Sequence, residues 1–543
     1  MEWCSVLHPE GMRYGTISTR TLSVALGALL AAVLSSVPAH ASPPGPSAPD
    51  QPDVIVAQAA PGKKLHFPNM ERRNDGSLVA VAREGEGHTG QDGRLLILDS
   101  DDGGRTWSSP RVVHDSPYDD RDPMITQLGS GRLLLSWFET DWTTSPRTRR
   151  GVFVKHSDDG GTTWSDPVRV QTSMSEPRGN PDLGWAAGHG QIKELPSGEL
   201  IIPLYGTLPD DPWQRSTVVR SMDGGESWKA ETESLIAAKQ NTHYQEPVLT
   251  VLPGGKVHAL LRIGTAASTM DAVRSQESWS DDGGRTWTVP EEIDLVTSSA
   301  HTEVLRNGDV FLAYGDLSGH FTDRRGTVGA VLRNPGSSWS GAPRELVYDS
   351  GTGDQANPAV AEVRPGRVLV LGFDSDTGRL VGDYVDANSI RDEPADPRRV
   401  DLAALHDAGL LTIDTDLVYT TADRPHVGPV GAIDGVVGYW DAAWKNTEAP
   451  AHYTVTFDEP TRVMEVGVAL KPGHAEAAVV KVRDASGSWR TVGELDNRVR
   501  WGDELAWFPV GPGRTIDKVK VEIIESAGWA VLAELGVRGP GAN

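Results

Sequence analysis

Short apolar runs recur along the chain in pairs, each pair split by a glycine. Residues 70–83, 123–137, 191–205, 247–262, 303–314 and 359–373 each read strand, turn, strand, with the turn glycine at 76, 131, 198, 255, 308 and 366. Alternation over four to eight residues on both sides of a glycine is the pattern of a hairpin. The glycines stand 53 to 67 residues apart, which leaves room for four short strands in every period.

A second pattern runs in phase with the first. Ser100, Asp102, Gly104, Thr106 and Trp107 form a box that returns at Ser157, Asp159, Gly161, Thr163 and Trp164. It returns again at Ser221, Asp223, Gly225, Ser227 and Trp228, and at Ser280, Asp282, Gly284, Thr286 and Trp287. A worn fifth copy keeps Asn334, Gly336, Ser338 and Trp339. The aspartate bonds nearby N–H groups in a tight turn, glycine supplies positive φ, and tryptophan plugs the gap beneath. An EF-hand loop needs alternating ligands and a closing glutamate, which the boxes lack. Each box follows a turn glycine by about 25–30 residues, where a hairpin between third and fourth strands would fall. Six such periods predict an all-β fold, a six-bladed β-propeller over residues 50–390.

The alternation fades from about 386 into proline- and aspartate-rich sequence, read as a linker over 391–424. Strands return at 453–457, 463–469, 477–482 and 519–524, which predicts a β-sandwich over 425–540. At the other end Arg13 and Arg20 precede an apolar run, 22–37, that closes on Ala39-His40-Ala41. That order predicts a secretory signal peptide over residues 1–41, with Met1 or Met12 as the start, and a secreted, extracellular protein. Cys4 is the single cysteine and lies in the removed part, so neither a disulfide nor a cysteine metal site is expected. The net charge of −24 repels nucleic acid and anionic membranes, and neither is an expected partner. An anionic ligand therefore needs a local cationic cluster. The chain is expected to act as a monomer.

The innermost strands of a propeller start at one end of its channel, so equivalent positions of the six periods converge there. They carry Lys64 to Phe67, Arg121-Asp122, Gly188-His189, Gln245-Glu246, Ala300-His301 and Asp354 to Asn357. Carboxylates, arginines and histidines gathered in one concavity form a candidate site. The boxes, with Phe67-Pro68, Asp92, Glu246-Pro247 and Arg262, resemble bacterial exo-sialidases over about residues 62–380. The resemblance implies Asp92 as general acid/base and Glu246 as the carboxylate polarising a tyrosine nucleophile. It implies Arg262, joined by Arg324 or Arg325 (Arg325 by preference), as the grip on a substrate carboxylate. Two positions depart from that pattern. His66-Phe67-Pro68 stands where the family has an arginine before Ile-Pro, and 353–358 lacks the expected tyrosine. Tyr244 and Tyr348 are the alternatives for the nucleophile, with Tyr244 preferred. Arg83, His88, Arg121, Asp122, His189 and His301 are candidate substrate contacts. The stretch 425–540, with Ile433-Asp434-Gly435, Tyr439-Trp440, Trp444 and Asp484-x-Ser486-Gly487-x-Trp489, resembles discoidin-like carbohydrate-binding domains.

Arginine presents the planar, bidentate donors that a sugar carboxylate matches. The expected function is therefore exo-sialidase-like hydrolysis of terminal sialic acid or a related acidic sugar from a glycan. A lyase acting on uronate-containing glycans, with His189, His301 or a tyrosine as base, is the alternative. A non-catalytic glycan-binding propeller is the third reading. No metal and no cofactor is expected, because no His-Glu-x-x-His or comparable cluster appears.

Overall fold

The computed structural model describes residues 51–543, apart from 145–147, 175–185, 266–272, 323, 392–395, 420–427, 436, 438–441, 446, 472–473, 497–504, 512–513 and 541–543. The expected signal segment, Asp323 of the Arg324-Arg325 loop and the Tyr439-Trp440 pair lie outside the described residues.

Six four-stranded antiparallel sheets follow one another along the chain among the described residues. The first is Lys64–Arg72, Leu78–Gly85, Arg94–Ser100 and Arg111–His114. The next four begin at Asp119–Gln127, Lys193–Glu194, Thr242–Val251 and Thr297–Val304. The sixth takes Ala359–Arg364, Arg367–Asp374 and Arg379–Asp386 and is completed by Val54–Gln58 from the other end of the chain. Its first strand also packs on that of the first sheet, so the series returns on itself. Between the second and third sheets the contact includes a bond from Thr126 Oγ1 to Ile192 O at 3.0 Å. Each predicted hairpin is present around its turn glycine, and all six glycines have φ between 75° and 93°, where a side chain would be strained.

The five boxes connect the third and fourth strands of the first five sheets. In the first, Asp102 accepts from the Thr106 N–H at 3.0 Å and from Thr106 Oγ1 at 2.6 Å, while Trp107 Nε1 donates to Gly104 O at 2.9 Å. Trp228 and Trp339 are fully buried beneath their turns, whereas Trp107, Trp164 and Trp287 are partly covered. Turn chemistry of this kind repeats because it closes each hairpin with bonds internal to the box.

Two more sheets follow. One orders Leu411–Thr415, Ala451–Arg462, Thr515–Ser526, Ala475–Asp484 and Trp489–Asp496. The other orders Ala443–Lys445, Ala530–Arg538, Glu465–Leu470 and Ala506–Pro509. They share one apolar core in which Tyr453 and Val455 of the first meet Val466 and Leu535 of the second. The expected linker over 391–424 needs correction at this point. Asp401 caps a short helix, Leu402–Asp407, by accepting from Ala404 N, and Leu411–Thr415 is the edge strand paired with Ala451–Arg462. Asp392-Glu393-Pro394 and Asp396-Pro397 mask an alternation, Leu411-x-Ile413, that packs on the shared core. Contacts also cross from the six sheets to the two, as Arg274 Nη2 lies 3.2 Å from Asp434 Oδ2 and His320 bonds Val437 O.

Candidate active site

The first strands share a local irregularity that aims side chains into the space where they converge. Register shifts interrupt the pairing at His66/Asn69, Arg121/Met124, Gln245/Val248 and Ser298/Ala300. At those points Phe67, Asp122, Glu246 and Ser299 take φ of 53°, 46°, 42° and 31°, and Asn357, ahead of the sixth strand, takes 50°. A non-glycine residue is held at positive φ only where its surroundings enforce it, and a bulge of this kind re-aims a side chain. Four of the five precede proline.

Glu246 is the best held of these groups. Its Oε1 accepts from Arg262 Nη1 at 2.9 Å, and its Oε2 accepts from Ser299 N at 2.9 Å and Ser299 Oγ at 3.1 Å. Burial pushes its proton affinity up, but the Arg262 guanidinium, His189 and the Ser299 N–H bring its pKa down to about 2. Asn357 Nδ2 steadies Ser299 Oγ at 2.9 Å, and Arg325 Nη2 donates to Asn357 Oδ1 at 3.0 Å.

Asp122 has the opposite environment. It is 8% exposed, its Oδ1 is buried without a hydrogen bond, and burial raises its pKa against the pull of Arg121 and His189. Glu246 also acts on it, as a like charge that raises it further. Two carboxylates held apart in proton affinity are the pattern of an acid and an ionised partner.

Tyr205, missed in the sequence, belongs to the same cluster. Burial raises its pKa, and the charges acting on it are those of Arg149, Glu246, Asp122 and Arg262. It lies near the end of the second strand of the third sheet, Leu200–Thr207, opposite Ala187, the phase that Arg83 and Arg262 occupy in their own sheets. That shared phase was the available signal. Arg149 was missed too. Its Nη1 is buried without a partner and its guanidinium lies 5.5 Å from the Phe138 ring.

Arg83 and Arg121 are brought together by Asp119. The buried Arg83 Nε lies 2.7 Å from Asp119 Oδ1, and Arg121 Nη1 lies 3.3 Å from Oδ2. A Cβ at Gly93 would fall 1.9 Å from Asp119 Oδ1, so only glycine fits there. Arg121 also donates to His88 O at 3.0 Å, and His88 Nδ1 meets Asp354 Oδ1 at 2.8 Å. His189 is buried beside Asp122 and Glu246, while His301 lies toward Lys193 and accepts from Val360 N through Nδ1 at 2.9 Å.

Two predicted catalytic residues are held by other partners. Asp92 pairs with Lys63 and accepts from Glu86 N at 2.9 Å. Burial opposes ionisation there, yet the Lys63 bond and the Glu86 N–H hold its pKa below the usual carboxylate value. Tyr244 lies in the apolar core with Leu249 and Leu261, its hydroxyl 3.2 Å from Gln276 Oε1. Burial raises its pKa, and the charge that acts on it is Arg215, outside the cluster. The register shift after Gln245 separates it from Glu246, two residues on.

The BNR repeat-like domain family matches residues 76–368, more than half of the chain. The chain belongs to that family. Its curated relatives include a sialidase of Paraclostridium sordellii, 29% identical over 184 residues that are 30% of this chain and 45% of that one. A Clostridium perfringens sialidase is 27% identical over 31% of this chain and 48% of its own. The chain thus spans about half the length of the curated relatives it matches. A Dyadobacter fermentans structure of unknown function matches at a TM-score of 0.54 and 22% identity, covering 62% of this chain and 98% of that one. That likeness extends to the fold.

Proposed function

We propose that this BNR-family chain is a secreted glycoside hydrolase that removes a terminal acidic sugar, sialic acid foremost, from glycans. In this reading the six sheets are the blades of a propeller, and the strained residues at its mouth form the active site. The carrying observation is the pair Asp122 and Glu246, set at equivalent bulges of two sheets, one driven toward its protonated form and the other held ionised.

Asp122 donates a proton to the leaving oxygen, the task for which a buried carboxylic acid is suited. Glu246, anchored by Arg262 and Ser299, polarises the Tyr205 hydroxyl, whose own environment keeps it neutral at rest. A neutral nucleophile avoids setting a full anion against an anionic sugar. Arg149, with its buried unpartnered Nη1, Arg262 and Arg325 supply the cations for the substrate carboxylate. The likeness to two curated sialidases favours the same substrate class. The two sheets that follow the propeller are the proposed carbohydrate-binding module, with Trp489 and Trp529 exposed on it.

The test is a panel of chromogenic sialosides, uronides and neutral glycosides against the wild type, Asp122→Asn and Asp92→Asn. Release of acidic sugars, lost in Asp122→Asn and kept in Asp92→Asn, is expected. A product carrying the ultraviolet absorbance of a conjugated alkene, or turnover confined to neutral sugars, overturns the proposal.

A further inference from the structure

The two positions that depart from the exo-sialidase pattern meet in space. His66 stands before Phe67-Pro68 on the first strand of the first sheet, and Asp354 belongs to the tyrosine-free run ahead of the sixth. His88, from the loop after the second strand, completes a group whose three donor atoms all lie within 4.8 Å of one another. We propose that His66 Nε2, His88 Nδ1 and the Asp354 carboxylate bind a divalent transition cation of the zinc class, leaving one coordination position open to a substrate oxygen.

One of the two donor separations matches that occupant, and the other needs His88 to draw back by about 0.6 Å. His88 Nδ1 lies 2.8 Å from Asp354 Oδ1, and His66 Nε2 lies 3.4 Å from Oδ2. Ligands at bond lengths of about 2.0–2.1 Å around a tetrahedral cation stand about 3.4 Å apart. Two imidazoles and one carboxylate are also the donor set of zinc centres that keep a fourth position for water or substrate. A second observation points the same way. His66 is 0% exposed, and neither of its ring nitrogens has a hydrogen bond. A buried imidazole whose nearest carboxylate stands at 3.4 Å, beyond a good hydrogen bond, is rare in a folded protein, and a cation between Nε2 and Asp354 would satisfy both groups.

The rings are held before any ligand arrives. Phe373 packs edge-on to His66 at 5.1 Å between centroids, and Phe67 edge-on to His88 at 4.9 Å. Asp119 offsets one of the two nearby positive charges of Arg83 and Arg121. A second cluster, His114, Asp120 and Glu139, is less available. Both Asp120 oxygens already accept from Ser116, and Arg150 lies 3.7 Å from Glu139. Arg121 acts electrostatically on both histidines and on Asp122, and Asp354 acts on Arg325, so the cation would belong to the same charged cluster as the carboxylate pair. There it would take up the sugar oxygens that the missing arginine would otherwise hold.

The experiment is a zinc titration by calorimetry of the full chain after chelator treatment and dialysis, with diffraction at the zinc absorption edge. One equivalent per chain is expected, with the anomalous peak between the three side chains. His88→Ala and Asp354→Asn should each weaken binding more than about 100-fold, beyond the usual loss for a partner one step removed from the metal. Glu139→Gln should bind zinc as the wild type does. Absence of stoichiometric binding by the wild type overturns the proposal, whatever the variants do. So does binding that survives Asp354→Asn or disappears in Glu139→Gln. The readout contains no sugar, so its failure is separate from a failure of the hydrolase reading.

Discussion

Replacing Asp122 with asparagine should lower activity and raise stability at once. The substitution keeps the shape of a side chain that is 8% exposed and removes its charge. Losing a general acid lowers kcat by about 10²–10⁴-fold. The loss should shrink on substrates whose leaving group departs without a proton, such as nitrophenyl glycosides. Stability moves the other way because the folded state raises the pKa of Asp122. Below the usual carboxylate range both states are protonated and the site is neutral toward folding. As pH rises, the unfolded chain ionises first, and Asp122 opposes folding from there upward. An unsatisfied buried group costs roughly 1–3 kcal/mol, so the variant should gain up to that amount near pH 7 and nothing near pH 3. Steady-state kinetics on paired substrates and melting curves at both pH values measure the two effects. Full activity, or a melting point lowered at pH 7, would refute the assignment of Asp122 as a buried acid.

Glu246→Gln should have the opposite stability sign. Its pKa falls from 4.5 to about 2, so its contribution is complete above the usual carboxylate range and disappears as pH drops through about 2. The shift corresponds to an order of 3 kcal/mol near neutral pH, measurable as a loss in denaturant melts, alongside a kcat fall of about 10²–10⁴-fold. Trp228→Ala removes a fully buried plug and should cost about 3–5 kcal/mol while leaving KM unchanged in whatever fraction folds. A chain ended after residue 391 should stay soluble, whereas one ended after 424 keeps Leu402, Leu411 and Leu417 without their core and should aggregate. Gel filtration of both distinguishes them. Intact mass of protein from culture supernatant should place the first residue at or near Ser42, and a retained apolar segment would contradict the signal reading.

The strand pattern was legible because it is local. A glycine at positive φ, a box that bonds within itself and a two-residue alternation need no distant partner, and all of them stood in the sequence with the right spacing. The edge strand Leu411–Thr415 was not, since its apolar face acquires meaning only against the core of the two-sheet unit. The same division holds at the candidate site. Phase in the repeat picked out Arg121, Asp122, His189 and Glu246, and the resemblance to exo-sialidases added Arg262. Phase could not tell that a register shift would turn Tyr244 into the core and leave Tyr205 under the charges of Arg149, Glu246, Asp122 and Arg262. Nor could it tell that Lys63 would occupy Asp92 while Asp122 Oδ1 stayed without a hydrogen bond. Proton affinity depends on burial and on charges carried by other sheets, separated by up to hundreds of residues along the chain. The sequence alone determined where each strand turns and where each box closes its hairpin, because those are properties of neighbours in the chain. Only the tertiary structure decided which of them are charged, paired or free to react, because those are properties of neighbours in space.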